Sequence, residues 1–248
     1  MRKHLIWVLG LALALASVGI AYGAANTQTI TGTITPKKLP KKGKGAPVSL
    51  FIDVSSTNSA NAFQIPNATT LAKVDFDKDL KIQQKGLPTC DPTQFTSATT
   101  TAQATSACSD SKLGGGTSKI QVPSATGSPP INIAATVTAF NGKGKTLVLF
   151  TYNTLSGAQT LIGTIGPSTG GSKYGITLSV PVPPLAGGSA VIQEFNTKVG
   201  KKYHYKGKKA SYVSSTCKDK KLKFQARFTD NAGNLATGTF TQKCKQKG

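Results

Sequence analysis

The chain is poor in acids and poorer still in the residues from which most catalytic sites are built. Thirty Lys or Arg stand against nine Asp or Glu among 248 residues, giving a formal net charge of +21. Glu194 is the only glutamate, and Arg227 is the only arginine after Arg2. The positive charge is therefore almost all lysine. Lysine lacks the planar fork that arginine presents to phosphate and guanine, which argues against sequence-specific nucleic-acid reading. Histidine occurs twice, at His4 and His204, and no Cys-x-x-Cys occurs, so zinc spacing is missing and neither metal nor cofactor is expected. Long runs with a 3.6-residue apolar period are also missing, and no fixed period recurs, which excludes a repeat array.

What is present begins with Arg2, Lys3 and His4, an apolar run from Leu5 to Ile20, and the small residues of Ala21-Tyr22-Gly23-Ala24-Ala25. This is the layout of a secretory signal peptide spanning residues 1–25, cleaved after Gly23 or Ala25. The apolar run is short for a full span, and Lys243-Cys244-Lys245-Gln246-Lys247-Gly248 is too polar to be an anchor. The expectation is a secreted product, extracellular or associated with the cell wall, with no membrane span after cleavage. Trp7, the only tryptophan, would leave with the signal peptide, which counts against a sugar-stacking platform. In an oxidising compartment four cysteines read as two disulfides. Three pairings are open, and pairing nearest neighbours gives Cys90 with Cys108 and Cys217 with Cys244.

Residues 26–248 read as a single all-β domain. Ile30 and Ile34 share one face of an alternating run that Pro36 stops, and Val48, Leu50, Ile52 and Val54 resume the alternation beyond a Lys-rich loop at 36–47, read as solvated and mobile. Val74, Phe76, Leu80 and Ile82 form another alternating strand, with Asp75, Asp77 and Asp79 sharing its exposed face. A Thr/Ala/Ser loop at 90–108, bracketed by cysteines, follows, with helix a weaker option for its alanines. Further short strands, separated by Asn141-Gly142, Gly170-Gly171, Pro183-Pro184 and Gly187-Gly188, argue for an antiparallel β-sandwich, jelly-roll or immunoglobulin-like, stapled by two disulfides. Asp230-Asn231-Ala232-Gly233 suits a type I turn with a glycine bulge. It sets Phe228 opposite Ala236, Ala226 opposite Gly238 and Phe224 opposite Phe240. That register leaves Cys217 out of line with Cys244, so an irregularity is expected near Asp219.

The strand Val-Asp-Phe-Asp-Lys-Asp from Val74, the Lys-Gly-Leu-Pro-x-Cys from Lys85 to Cys90, and Cys108 followed by Ser111, Gly114 and Gly116 also carry a resemblance. They resemble a group of secreted all-β proteins of high-GC Gram-positive bacteria, over most of the mature chain. The resemblance implies architecture and export, and no activity.

Three motifs bear on function. Gly166-Pro167-Ser168-Thr169-Gly170 matches the string of the hydrolase nucleophile elbow, but glycines and an alternating strand follow where a helix belongs, and His204 is the only base left. Asp75, Asp77 and Asp79 resemble the start of a calcium loop, yet Leu80 stands in place of its glycine and Gly86 in place of its bidentate Glu. Between Lys198 and Gly248 lysines are interleaved with Tyr203, His204, Tyr205 and Tyr212, a composition that holds anionic polymers through charge and stacking, or protects exposed strand edges. The candidate anion-binding set is Lys201, Lys202, Lys206, Lys208, Lys209, Lys220, Lys221 and Lys223. The sequence reads as a noncatalytic structural or binding module of the cell envelope or extracellular space, with anionic envelope polymer as the partner; the alternative is a secreted hydrolase or calcium-dependent enzyme.

Overall fold

Eleven stretches of alternating burial become the strands of one antiparallel sheet in a computed structural model, which describes residues 26–125 and 127–247. The signal-peptide reading of residues 1–25 lies outside the described residues. The strands are β1 (Thr27–Thr35), β2 (Ser49–Thr57), β3 (Thr69–Asp77), β4 (Lys112–Val122), β5 (Ile131–Asn141) and β6 (Thr146–Asn153). They continue with β7 (Gly157–Pro167), β8 (Tyr174–Pro181), β9 (Val191–Val199), β10 (Lys221–Asp230) and β11 (Leu235–Lys243). Their order across the sheet is β1-β2-β9-β4-β5-β6-β7-β8-β3-β10-β11, with every neighbouring pair antiparallel. Strand β3 thus leaves the strands that precede it and pairs with β8 and β10, both far along the chain.

The expected all-β, disulfide-stapled core is formed by this one sheet, curled back until β1 and β11 meet. No ladder joins those two strands. Instead the Gln242 side chain clasps Ile34: its Oε1 accepts from the Ile34 N–H at 2.5 Å, and its Nε2 donates to the Ile34 carbonyl at 2.9 Å. Gly32 makes the close approach possible, because a Cβ there would stand 2.6 Å from Phe240 Cζ. Phe240 in turn stacks on Phe224 with ring centroids 4.4 Å apart. Side chains that alternate inward, among them Ile30, Leu50, Val74, Phe76, Leu149 and Phe228, form the interior, and each fully buried one contributes about 1.5–3 kcal/mol.

One end of the barrel is plugged. Leu39, Leu80, Tyr212, Val213 and Leu222 are all buried there, beside the Cys217–Cys244 disulfide. A three-stranded sheet of Ala46–Pro47, Val213–Ser215 and Leu80–Ile82 lies across it, and Lys38–Pro40 pairs in parallel with Lys245–Lys247. The loop at 36–47 is therefore not free in solvent: Leu39 is inserted into the core, and the Pro40 carbonyl accepts from the Cys217 N–H at 2.9 Å.

Two more sequence expectations change. The strand expected from Val74 to Ile82 breaks at a turn over Lys78 and Asp79, because Leu80–Ile82 leaves the barrel to join the plug. The Thr/Ala/Ser segment is not simply a loop but holds a helix, α1 (Thr101–Ala107), started by a reciprocal capping box between Thr100 and Gln103. It buries Ala104 and the Cys90–Cys108 disulfide against Phe140, Val148 and Phe150, a second small core on the outer face of β5 and β6. This explains why β6 reads Leu-Val-Leu-Phe without alternation: both of its faces are covered. The glycine triplet Gly114–Gly116 lies inside β4, where Cβ atoms on Gly114 and Gly116 would meet the carbonyls of Lys198 and Asn196 at 1.9 and 2.1 Å.

The expected disulfide pairs and the C-terminal hairpin register are observed as read. Phe228 faces Ala236, Ala226 faces Gly238 and Phe224 faces Phe240. The irregularity expected near Asp219 is a bend over Lys218–Lys220, with Lys220 at φ +56°.

Candidate functional site

Strand direction sorts the connections into two sets. In an antiparallel sheet whose strands run alternately up and down, successive connections fall at opposite ends. Connections 36–48, 78–111, 142–145, 168–173, 200–220 and 244–247 start and finish at the plugged end, the second of them also running along the outer face until the Ser97 carbonyl accepts from the Ala158 N–H at 2.8 Å, and residues 58–68, 123–125, 127–130, 154–156, 182–190 and 231–234 lie at the other. The first set carries every lysine found in a connection; the second holds no Lys, Arg, Asp or Glu at all. The lysines of the connections, which looked spread along the sequence, are thus gathered at one pole.

All eight lysines of the candidate set fall at this basic pole. Lys202, Lys206, Lys208, Lys209, Lys220 and Lys221 are exposed, while Lys201 and Lys223 are half-buried. Lys201 Nζ donates to the Asp110 carbonyl, so its charge partly fastens the pole together. Among the described residues the only lysine in an ion pair is Lys218, with Asp79 at 3.3 Å. Apart from Lys201 and Lys223, the other lysines of the set are exposed and outside any ion pair, Lys206 standing 5.9 Å from the Tyr205 ring centroid.

The interleaved aromatics have a different use from the stacking platform that their spacing suggests. The hairpin of Lys202–Tyr205 and Lys208–Ser211 is docked on Gln83–Leu87 by two of them. Tyr203 Oη donates to the Gln83 and Lys85 carbonyls at 3.2 and 2.9 Å. Tyr205 covers Gly86, where a Cβ would lie 2.1 Å from its ring and where φ is +86°. Tyr212 is wholly buried, its hydroxyl has no partner, and burial pushes that hydroxyl far up from its ordinary range. Only His204 of this group stays exposed.

The remaining motifs resolve into a polar network on the outer face of β3. The reading of three aspartates on one exposed face is overturned: Asp75, Asp77 and Asp79 are 0%, 6% and 5% exposed. Each is occupied separately. Asp75 pairs with Arg227, Nη2 to Oδ2 at 2.8 Å and Nε to Oδ2 at 3.0 Å, and also accepts from the Thr177 hydroxyl. Asp77 accepts from the N–H groups of Asp79 and Lys223, both at 2.9 Å, and Asp79 accepts from the Lys218 N–H at 2.7 Å. Burial raises the Asp77 carboxyl above the usual range, against the pull of those two N–H donors. Among the described residues no three His, Cys, Asp or Glu side chains converge on a common point. Ser168 belongs to the same network: its hydroxyl donates to Asp75 Oδ1 at 3.3 Å and accepts from the Gly170 N–H at 3.1 Å, in the turn between β7 and β8. Strand β8 follows where an elbow would have a helix.

Sequence reasoning did not find the interior of the barrel. An apolar cavity of about 130 Å³ runs from Gln28, Thr69 and Ile192 at the uncharged end down to Leu50, Phe76 and Leu147. The signal was the strand count, since eleven strands enclose more room than side chains of ordinary size fill. Among the described residues no helix is long and apolar enough to cross a membrane. Comparison with protein-family models, curated proteins and solved structures finds no match to this chain.

Proposed function

We propose that the protein is an exported, noncatalytic binding module of the cell envelope or extracellular space, and that its basic pole holds anionic polymer. The observation that carries this reading is the sorting of charge: every connection at one end is basic or carries lysine, and every connection at the other is uncharged. A pole of exposed ammonium groups with few counter-charges concentrates a polyanion at its surface, and lysine does so by field rather than by bidentate geometry. The preference is therefore for charge density over monomer identity. Two disulfides suit an oxidising, extracellular setting, and the resemblance to secreted all-β proteins agrees with export.

The test is retention of the mature protein on purified anionic envelope polymer, double-stranded DNA and a neutral polysaccharide across a salt series. We expect retention on both polyanions at low salt, release as salt rises, and none on the neutral polymer. Replacing Lys202, Lys206, Lys208 and Lys209 by Glu should move release to lower salt. Absence of retention, or an unchanged release point in that variant, overturns the reading.

A further inference from the structure

Native interiors pack about as densely as organic crystals, and voids larger than a water molecule are few. The barrel interior departs from this. Its cavity is comparable in size to engineered apolar cavities that take up benzene. Leu, Ile, Val and Phe make most of its wall, and no charged residue lines it.

Three buried polar atoms belonging to residues of its wall have no partner. Gln28 and Gln193 each present a buried Oε1, and Thr197 a buried Oγ1, and none of the three makes a hydrogen bond. Gln28 is only 8% exposed, and its Nε2 is already committed to Ser56 Oγ at 2.6 Å, so the orphaned atom is the acceptor. Two strands, β1 and β9, supply these atoms. A buried acceptor without a donor costs free energy that a pure scaffold avoids by placing an apolar side chain there.

From this arrangement we infer that the barrel interior is a binding site for a small neutral molecule, about the size of one or two fused rings, that carries a hydroxyl or an N–H. The apolar wall covers the ring, and the donor satisfies Gln193, Thr197 or Gln28. A carboxylate or an ammonium is excluded, because no counter-charge lines the space. Entry is from the uncharged end. There the cavity shares Thr69, Val182 and Ile192 with a second cleft under Pro183, Pro184 and Leu185, so an apolar molecule meets no charged residue on its way in. This site is independent of the basic pole, at the opposite end of the strands.

Indole and indene test the inference on the full mature protein, since they match in shape and only indole has an N–H. Trp7 is the sole tryptophan of the chain and lies in the expected signal peptide, so indole fluorescence would be read against no protein tryptophan. Indene is followed by its NMR shifts. We expect saturable binding of both at one site, with indole about tenfold tighter, the value of one added hydrogen bond. Thr197→Val and Gln193→Leu, each keeping the shape of the wall, should shrink that preference without weakening indene. Ala72→Phe, placed in the cavity wall, should abolish both, with circular dichroism and a melting curve verifying that the variant is folded. Failure of both probes to saturate marks the space as holding water only and overturns the inference. So do equal affinities for the two probes, or a preference untouched by both Thr197→Val and Gln193→Leu.

Discussion

The two ends of the barrel are built on opposite principles. The basic pole is over-determined: it has both disulfides, the three-stranded plug, the docked tyrosine hairpin and nearly all the charge. The uncharged pole has short Pro/Gly/Asn/Ser connections and no staple, and Phe63, Ile131, Leu155 and Leu235 are exposed there. Its strongest fixture is Asp230, which accepts from Asn67 Nδ2, Asn234 Nδ2 and the N–H groups of Ala232 and Asn234 at 2.8–3.1 Å. The contrast teaches that concentrated like charge has to be held together by bonds that salt does not screen. Where there is no repulsion, turn chemistry is enough.

The largest effect should come from cutting the covalent part of that contrast. Replacing Cys217 and Cys244 together by Ser should cost about 3–4 kcal/mol in urea unfolding, the range for closing a loop of this length. The loss should be smaller in high salt than in low salt, because the freed pole is self-repelling. A loss independent of salt would break the link between staple and charge.

Acid should then act on the two poles with opposite sign. Burial pulls the Asp230 carboxyl up, but the hydrogen bonds from Asn67, Asn234 and Ala232 outweigh it and hold the group below the usual range. Its contribution is complete above the unfolded-state value and is lost as pH falls through the folded one. Asp77 runs the other way: its raised value means the folded state holds the proton more tightly, so its contribution is complete below the unfolded-state value and is lost as pH rises through the folded one. Urea midpoints measured from about pH 6 down to about pH 2 should therefore flatten for Asp230→Asn and steepen for Asp77→Asn, the window lying around the ordinary carboxylate range. Equal slopes in both variants would show that neither group matters to acid stability.

The smallest effect on stability is expected from moving charge across the molecule. Leu155 and Leu235 are 74% and 63% exposed, so replacing both by Lys should change stability by less than about 0.5 kcal/mol. Retention on a polyanion should rise less than it falls when two lysines of the basic pole are replaced by Gln. A rise of equal size would mean that net charge, and not its placement, governs binding.

Much of the local structure was legible in the sequence. The Leu222–Phe228 strand alternates cleanly and ends in a turn of defined chemistry, so its register with Leu235–Lys243 followed from period and turn alone. Of the three disulfide pairings open in the sequence, the nearest-neighbour choice is the one observed. What escaped depends on partners distant in sequence. Asp75 looks solvated on its strand until Arg227, 152 residues later, arrives beside it. Leu80 looks like the continuation of β3 until Val213–Ser215 claims its strand for the plug. The sorting of lysines was written in the connections, basic and uncharged in turn, and becomes visible only once strand direction is assigned to each. The unpaired atoms of Gln28, Gln193 and Thr197 carry no sequence signal, since a polar residue in a strand ordinarily reads as facing water.

The amide clasp between Gln242 and Ile34 has a consequence in time rather than in shape. Everywhere else in the barrel, neighbouring strands share a backbone ladder and separate only when many hydrogen bonds break together. At the β1–β11 seam one side chain stands in for a ladder. Amide protons facing that line should exchange with solvent deuterium earlier than those inside the sheet, except at Ile34 itself, and the first cooperative opening of the molecule is expected along this seam.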